Sequence, residues 1–524
     1  MNSANPSFIK LFGQPEENLY QLGVKDREHW ASFTRSLVSQ NIPFQTVFEL
    51  ASTAKSQKII SHLMKQKDSY SKLVDAYAEG LEISSKELWN ILLITELERS
   101  KASWASKQRS RLFGCSSYFR LDKEGNPLHL RVFDSSYVRV EKSFRHMQWE
   151  SQSQNNFYSF SYPGIPLFFH SGINQYGLSL AIHQLPSEQL EQKGLTIFQL
   201  FYEIMIQAQS LKDVEKIARL YPTLGAWGLY LLDTEGEVLA LNSIGKKLSK
   251  RRFNLHQDRD VYFGNLPIQE SERNLVMESA QEHWLENMKI STVKEQAKKL
   301  KKPSEQKLFE LIEQPINPNK ELKVGMVNPG TKLSLMFSPR QDEVSIKFFG
   351  EETITKIKKL WIRPVPSEFK TRKKVDRDFS IGLQHLSSAQ LAWSNSDEVE
   401  AFDHIQYAIE YLKNIPAYHS LSKFYFYIFR YLKCDNSREY EIILRHLKND
   451  EYMLPNYLHD HRNLFIHRLE KISRGTTTRT EDHFIYSENK KYFNFEKDLP
   501  AIAIKSMRKL IQPQIDTFNI EYLF

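Results

Sequence analysis

The order of predicted elements indicates an α+β protein in which helices cover antiparallel sheets. Helical periodicity from about residue 26 to 110 gives way at Gly114 to short alternating runs such as CSSYFRL and LHLRVFD. Helices return over 196–219, strands over about 226–268, a basic helical stretch over 276–325, and a last hairpin near 330–350. Groups of strands separated by groups of helices favour this class over a regular βαβ repeat with a parallel sheet.

Local signals support the individual elements. Ser84 or Ser85 is placed to cap the helical run 81–97, and Ser210 with Asp213 has the S-x-x-D form of a helix start. The turn DKEGNP has the Asp, Gly, Asn and Pro residues of a hairpin loop. This turn predicts that the strand beginning at Cys115 pairs antiparallel with LHLRVFD.

Four segments follow from these patterns. They are a helical segment 1–114, a strand-rich core 115–360, a linker 361–376 with prolines and a basic run, and a helical region 377–524 of unknown role. The helical region is rich in Tyr, Phe, Leu and His, which is typical of amphipathic helices that pack on one another. It is the part of the chain that we expect to contact a protein partner, if there is one.

Composition excludes several classes of protein. The 524 residues carry 71 Lys and Arg against 63 Asp and Glu, and a charge of +8 over this length predicts no specific nucleic-acid binding. Two cysteines, Cys115 and Cys434, exclude a disulfide framework and a cysteine-rich zinc site, and they fit either a reducing, cytoplasmic compartment or simple indifference to redox conditions. The start lacks a secretory leader pattern, and the apolar runs are too short to span a bilayer.

One cluster of histidines has to be considered as a metal site. The stretch LHDHRNLFIH over 458–467 contains three His residues and Asp460. His459 and His461 are two positions apart, and such residues do not face each other on a helix. We therefore expect a packed or solvated surface there, and we predict no metal and no organic cofactor for the protein.

The candidate for chemistry is Cys115. Taken alone, a free cysteine is more often a small buried hydrophobic residue than a nucleophile. Arg131 and Asp134 lie on the strand that the DKEGNP turn pairs with it, although charged residues are also typical of an exposed edge strand. Asn174, between two glycines, favours a turn-shaping role, and His170 and His183 are assigned no catalytic role.

An ordered set of motifs gives these residues a context. GCSSYF, RVFD, HSGINQYGLSLAI, YFGNLP and SER occur in this order, after the opening LFGQPEENLYQLGVKDRE. Over about residues 8–350 the set resembles the N-terminal nucleophile (Ntn) hydrolases of the isopenicillin N acyltransferase family and the related cholylglycine hydrolase family. The chain departs from the acyltransferase pattern at Val132, where that branch usually has Asn, and at Leu266, where a His often follows the Asn. These departures leave substrate choice open.

The resemblance implies a four-layer αββα sandwich and a self-processing precursor. Residues 1–114 would be the precursor segment, which stays bound as a small subunit after cleavage between Gly114 and Cys115. The new α-amine of Cys115, with a reference pKa of about 7.7 to 8.0, would take the thiol proton, so one residue supplies nucleophile and base. Arg131 would favour the thiolate, and Asp134 would orient the α-ammonium.

Two further residues are assigned by the same resemblance. Asn265 would donate its side-chain amide to the tetrahedral oxyanion, an effect worth about 3 kcal/mol in comparable sites. The alternative interpretation is that Asn265 only forms a turn before Pro267. Arg273 matches the downstream Arg of the family and would balance the charge of the site; its alternative is a solvated helix residue.

The predicted function is therefore that of a self-processing amidohydrolase or acyltransferase. It would act on a linear amide bond or an acyl thioester of a small molecule, through an acyl-thioester on Cys115. The alternative from another class is a non-catalytic interaction protein that retains this fold and binds a partner through its helical C-terminal region.

Overall fold

The structure of the protein, a computed structural model, describes most of the chain. The described residues are 7–39, 54–66, 68–93, 96, 113–135, 144–151, 153–161, 165–185, 187, 189–276, 280–298, 300, 303–312, 326–361, 365–370, 377–449, 453–515 and 519–522. Residues 97–112, directly before the predicted break, lie outside them. So do 362–364 and 371–376 of the predicted linker.

The chain forms two compact units. The first comprises Met1–Met277, Gln296–Leu311 and Thr331–Arg372, and the second comprises Glu278–Glu295, Ile312–Gly330 and Lys373–Phe524. The predicted N-terminal segment thus belongs to the same unit as the strand-rich core. The division into a precursor segment, core and linker stays a prediction.

The first sheet of unit 1 has eight strands in the order β1-β4-β5-β6-β7-β8-β9-β10. Its strands are β1 (Ser7–Phe12), β4 (Arg145–Glu150), β5 (Phe157–Ser161), β6 (Phe169–Asn174), β7 (Ser179–Gln184), β8 (Ala226–Leu232), β9 (Glu237–Ile244) and β10 (Lys247–Asn254). All neighbours pair antiparallel except β1 and β4, which pair parallel. The segment 1–114 therefore contributes a strand as well as helices.

The second sheet has seven antiparallel strands in the order β11-β2-β3-β12-β13-β14-β15. They are β2 (Phe113–Leu121), β3 (Pro127–Ser135), β11 (Asp260–Phe263), β12 (Thr331–Ser338), β13 (Glu343–Phe348), β14 (Thr353–Lys358) and β15 (Val365–Lys370). The predicted hairpin is confirmed, because β2 pairs with β3 across DKEGNP. Asp122 accepts hydrogen bonds from the backbone of Glu124 and Asn126 in that turn, and Gly125 has a φ of +85°. Strand β15 falls inside the segment predicted as linker.

Helices form the layers outside the two sheets. In unit 1 these are α1 (Pro15–Ser39), α2 (Ala54–Gln66), α3 (Ser69–Leu81), α4 (Ser85–Leu92), α5 (Ile197–Gln207), α6 (Leu211–Leu220), α7 (Leu255–Asp258) and α9 (Glu305–Ile312). Helix α8 (Ala280–Lys298) precedes α9, and most of it belongs to unit 2. The predicted caps are confirmed: Ser84 accepts from the backbone N–H of Glu87 at 3.2 Å, and Ser210 from that of Asp213 at 3.3 Å. Helices α1 and α3 touch through Gly23 and Gly80, where an added Cβ at Gly80 would lie 2.2 Å from the carbonyl oxygen of Tyr20.

The two sheets pack face to face between two helical layers. Polar side chains of β2 and β3 bond to β7 between the sheets, as in the contact of Ser117 with His183. On the outer face of the first sheet, Phe201 of α5 stacks on Phe169 with ring centroids 5.3 Å apart. On the outer face of the second sheet, Glu305 of α9 pairs with Lys356 at 2.7 Å. The α+β class with the layer order helix, sheet, sheet, helix is therefore confirmed.

Unit 2 contains the helical C-terminal region that the sequence predicts. Its helices are α10 (Arg377–Ser394), α11 (Glu398–Tyr411), α12 (Pro416–Lys433), α13 (Ser437–Asn449), α14 (Asn456–Arg474), α15 (Ser487–Glu496) and α16 (Ala501–Met507), followed by the hairpin β16 (Ile511–Gln514) and β17 (Asn519–Tyr522). In the histidine cluster, Asp460 accepts hydrogen bonds from the backbone N–H groups of Ile485 and Tyr486. Within the described part of the chain, no helix is both long and apolar enough to cross a membrane.

Candidate active site

Strand pairing brings Cys115 and Arg131 together. Cys115 lies opposite Phe133, and Ser117 lies opposite Arg131, in the β2–β3 register. Cys115 and Arg131 are thus diagonal neighbours on one face of the hairpin, a separation that a long side chain bridges. The Nη2 atom of Arg131 lies 2.6 Å from Cys115 Sγ, and both residues are almost completely buried.

The surroundings of Arg131 favour an anionic sulfur. Its guanidinium also donates to the carbonyl oxygens of Ile182 at 3.0 Å and Val132 at 3.1 Å, and its Nε lies 3.4 Å from Ser171 Oγ. Among the described residues, no carboxylate lies within ion-pair distance of it. A buried guanidinium without a counter-charge is costly, so the structure favours the thiolate form of Cys115.

The neighbouring histidines stay neutral. Burial, and then the positive charge of Arg131, holds the pKa of His129 well below its usual range. The same two causes, in the same order, lower the pKa of His170. Neither imidazole therefore carries a positive charge at neutral pH, and Arg131 supplies the charge beside the sulfur.

Asn265 meets the backbone of Cys115. Its Oδ1 accepts a hydrogen bond from the Cys115 backbone nitrogen at 3.0 Å, and its Nδ2 donates to the carbonyl oxygen of Gln184 at 2.8 Å. Cleavage before Cys115 would turn this nitrogen into the α-amine, which Asn265 is thus placed to orient. Donation to an oxyanion, the role that the resemblance implies, stays a prediction.

Asp134 lies next to the predicted break. Its Cα is the partner of Gly114 in the hairpin, and its Oδ1 accepts a hydrogen bond from Thr331 Oγ1 at 2.7 Å. The carboxylate is buried. Thr331, at the start of β12, holds it there, and the sequence analysis did not single out this residue.

Two other residues have roles away from the sulfur. Arg273 lies in the turn Glu270–Leu275, is exposed, and pairs with Glu270 at 3.5 Å, so the structure does not bring it into the cluster around Cys115. Asn174 shapes the β6–β7 turn: its Oδ1 accepts from the backbone of Tyr176 and Leu178, and Gly177 has a φ of +72°. The turn-shaping interpretation of Asn174 is confirmed.

A small apolar cavity adjoins the sulfur. It has a volume of about 20 Å³, which is room for about one water molecule. Cys115, Arg131, Phe133, Phe168, His170, Ile182, Gln184, Phe198 and Trp227 line it. Most of the wall is aromatic or aliphatic, which suits an apolar group better than a polar one.

Sequence reasoning missed a polar chain between the sheets. Ser117 Oγ lies 2.9 Å from His183 Nε2 and 3.1 Å from His129 Nε2, His129 Nδ1 lies 3.0 Å from Ser179 Oγ, and His183 Nδ1 lies 2.8 Å from the Gly264 carbonyl oxygen. Because a carbonyl oxygen only accepts, His183 Nδ1 carries a proton. The bond to Gly264 anchors the residue that precedes Asn265. The signal available in the sequence was spacing, since Ser117 is two positions after Cys115 and His129 two before Arg131.

Within the residues that the structure describes, no group of three or more His, Cys, Asp or Glu side chains is arranged to hold a metal ion. What the arrangement provides chemically is a buried sulfur beside a fixed positive charge, and an amide that holds the adjacent nitrogen.

Comparison with known proteins finds structural similarity only. No protein-family model and no curated protein sequence matches the chain. An N-acylethanolamine-hydrolyzing acid amidase ortholog of Caenorhabditis elegans is 10% identical, with 43% of this chain and 93% of that one covered and a TM-score of 0.31. Penicillin V acylase from Agrobacterium tumefaciens is 12% identical, with 49% and 91% covered and a TM-score of 0.31. A mutant conjugated bile acid hydrolase from Clostridium perfringens is 10% identical, with 50% and 98% covered and a TM-score of 0.32. At this level of similarity, the chemistry of the chain has to be argued from its own residues.

Proposed function

We propose that the protein is a self-processing amide hydrolase whose nucleophile is Cys115. The observation that carries the proposal is the buried contact between Cys115 Sγ and Arg131 Nη2 at 2.6 Å, without a described carboxylate to neutralise the guanidinium. A structural cysteine needs no such partner, whereas a thiolate nucleophile does. The motif order supports the isopenicillin N acyltransferase branch in particular.

Self-processing would begin at the Gly114–Cys115 peptide bond. The sulfur attacks the carbonyl carbon of Gly114, and the Cys115 nitrogen leaves with a proton, so that the acyl group moves from nitrogen to sulfur. Water then hydrolyses this thioester, which frees the Gly114 carboxylate and the Cys115 thiol. Asn265 already holds the leaving nitrogen, and Asp134 is paired with Gly114 across the hairpin.

Turnover of a substrate would use the same atoms. The sulfur adds to the amide carbonyl carbon while the free α-amine takes the thiol proton, and the amine passes that proton to the leaving nitrogen. The resulting acyl-thioester goes to water in a hydrolase or to a second amine in an acyltransferase. Arg131 stays charged throughout and stabilises the thiolate each time it re-forms.

The first experiment is intact mass with N-terminal sequencing of the native protein beside Cys115→Ala. We expect fragments 1–114 and 115–524 in the native protein and a whole chain in the variant. Cys434 is the reference thiol for a second measurement. Burial raises the pKa of Cys434, so this thiol is less ionised at neutral pH and should react slowly. Cys115 of the processed protein should react with iodoacetamide faster than Cys434 at neutral pH.

The opposite results would contradict the proposal. A native chain that stays whole, with equally slow labelling of both cysteines, would favour a non-catalytic protein that binds a partner through residues 377–524. A cytoplasmic location and such a partner are themselves proposals that rest on the sequence.

A further inference from the structure

A buried carboxylate from the N-terminal segment reaches the wall of the cavity. Glu96 lies before the predicted break and is 5% exposed. Its Oε1 accepts a hydrogen bond from the backbone N–H of Ile197 at 2.7 Å. Its Oε2 accepts from the backbone N–H of Gly225 at 2.9 Å and from Trp227 Nε1 at 2.7 Å. Three donors from two separate elements thus converge on one side chain.

The chain is built around this carboxylate. Ile197 is the first residue of α5, where unpaired N–H groups and the helix dipole favour a negative charge. Gly225 precedes β8, and a Cβ added there would lie 2.4 Å from Glu96 Oε2. A side chain at position 225 would therefore displace the carboxylate.

The groups that Glu96 binds form one wall of the cavity beside Cys115. Trp227 lines that cavity directly, and Phe198, the residue after Ile197, lines it as well. The indole of Trp227 has one polar atom, and Glu96 accepts its hydrogen. The carboxylate thereby holds the indole that lines the cavity.

We propose that Glu96 is a positioning residue for the acyl-binding wall, and that it acts through Trp227. The inference rests on the proposed function, because it assigns the wall to an apolar acyl group held next to Cys115. It also gives residues 1–114 a role after cleavage. The N-terminal segment completes the pocket from the far side of the break, so the pocket loses its shape if the segment leaves.

The test measures pocket shape at Cys115 in the full-length, processed protein. Cys115 is alkylated with iodoacetamide and, separately, with its N-benzyl derivative, and the ratio of the two rates reports how the wall accepts an apolar group. Glu96→Gln removes an acceptor oxygen from the three donors at nearly constant volume. Because the cavity holds only about one water molecule, a benzyl group reaches Cys115 only as the wall allows, and we expect Glu96→Gln to change the benzyl-to-small ratio about tenfold, as a changed pocket contact does.

Controls separate positioning from stability. Asp26→Asn alters another buried carboxylate of the same segment, which pairs with Arg145 and Tyr77 and touches none of the cavity residues; it should leave the ratio unchanged. Trp227→Phe should change the ratio as well, and in the double variant Glu96→Gln should add no further change, because Glu96 acts through Trp227. Glu96→Asp, which keeps the charge, serves if Glu96→Gln does not fold.

A spectroscopic signature makes the inference independent of reactivity. In protein labelled with 5-fluorotryptophan, the resonance that Trp227→Phe removes should shift in Glu96→Gln and stay in place in Asp26→Asn. An unchanged ratio and an unchanged resonance in Glu96→Gln would overturn the inference. Wild-type Cys115 that is inert to both reagents would instead refute the proposed function, and the fluorine resonance would still decide whether Glu96 positions Trp227.

Discussion

Replacing Arg131 by Met removes the positive charge beside Cys115 and keeps a long, unbranched side chain in its place. The structure gives Arg131 four acceptors, of which the sulfur of Cys115 is the nearest at 2.6 Å. If this contact holds a thiolate, its loss leaves the sulfur as a neutral thiol over more of the neutral pH range. Met restores none of the hydrogen bonds.

The size of the effect follows from the kind of contact. Hydrogen bonds to charged groups contribute about 1.5–3 kcal/mol, and each 1.4 kcal/mol is about a factor of ten. We therefore expect the alkylation rate of Cys115 at neutral pH, and the rate of any amide hydrolysis, to fall by about 10- to 150-fold. Arg131→Lys keeps a positive charge but lacks the planar guanidinium, so its rates should lie between those of the wild type and those of Arg131→Met.

The assay is the alkylation rate of Cys115 between about pH 6 and 9, read by mass spectrometry, with Cys434 of the same molecule as the reference thiol. Arg145→Met is the matched control, because it removes a half-buried guanidinium that pairs with Asp26 instead of the sulfur. It should lower thermal stability and leave the labelling of Cys115 unchanged.

One outcome would contradict a thiolate held by Arg131. If Arg131→Met folds and its Cys115 labels as fast as in the wild type at every pH, the guanidinium does not stabilise a thiolate. Arg131 would then be a buried structural residue that binds the carbonyl oxygens of Ile182 and Val132.

Three further predictions concern other groups. Asn265→Ala removes the acceptor of the Cys115 N–H and the amide donor that the family resemblance assigns to the oxyanion, and for the loss of that donor we expect processing to slow by about 100-fold or more. The intact chain should accumulate by mass, and processing at the wild-type rate would contradict this. Burial raises the pKa of Glu96 to about 7, so the folded state binds the proton of Glu96 more tightly than the unfolded state does. The free energy of unfolding should therefore fall as the pH rises from about 4.5 to 7, by up to about 3 kcal/mol. In denaturant titrations, Glu96→Gln should not show this pH dependence. Burial, with the charges of Arg468 and Lys471, lowers the pKa of His467 to about 4. The contribution of His467 to the free energy of unfolding is therefore present above about pH 6.5 and is lost toward pH 4, by up to about 3 kcal/mol. The stability of His467→Leu should depend less on pH over this range, and an unchanged acid transition would show that other groups control it.

The local part of the site was predictable from the sequence. The DKEGNP turn is short and has strong conformational preferences, so it determines the register of the two strands that it joins. Once this register is known, Cys115 and Arg131 fall on one face of the hairpin, and Asp134 falls opposite Gly114. The helix caps at Ser84 and Ser210 are local in the same sense.

Other elements depended on distant partners. Strand β1 lies in a segment that was predicted to be helical, and it is a strand because it pairs with β4. Strand β15 was predicted to be part of a linker, and it becomes the edge of the second sheet by pairing with β14. Periodicity over six residues does not reveal such partners, because what makes a short segment a strand is its packing and pairing with neighbours that are distant in the sequence.

The order of amino acids is enough for the α+β class, for the hairpin that joins Cys115 to Arg131, and for the motifs that resemble those of the Ntn hydrolases. The contacts between distant groups arise only in the folded chain. Asn265 contacts the nitrogen of a residue 150 positions away, Glu96 binds a tryptophan 131 positions away, and Arg273 remains at the surface beside Glu270. The physical reason is that strand register follows from short-range turn chemistry, whereas the packing of two sheets and their helices is decided by burial summed over the whole unit.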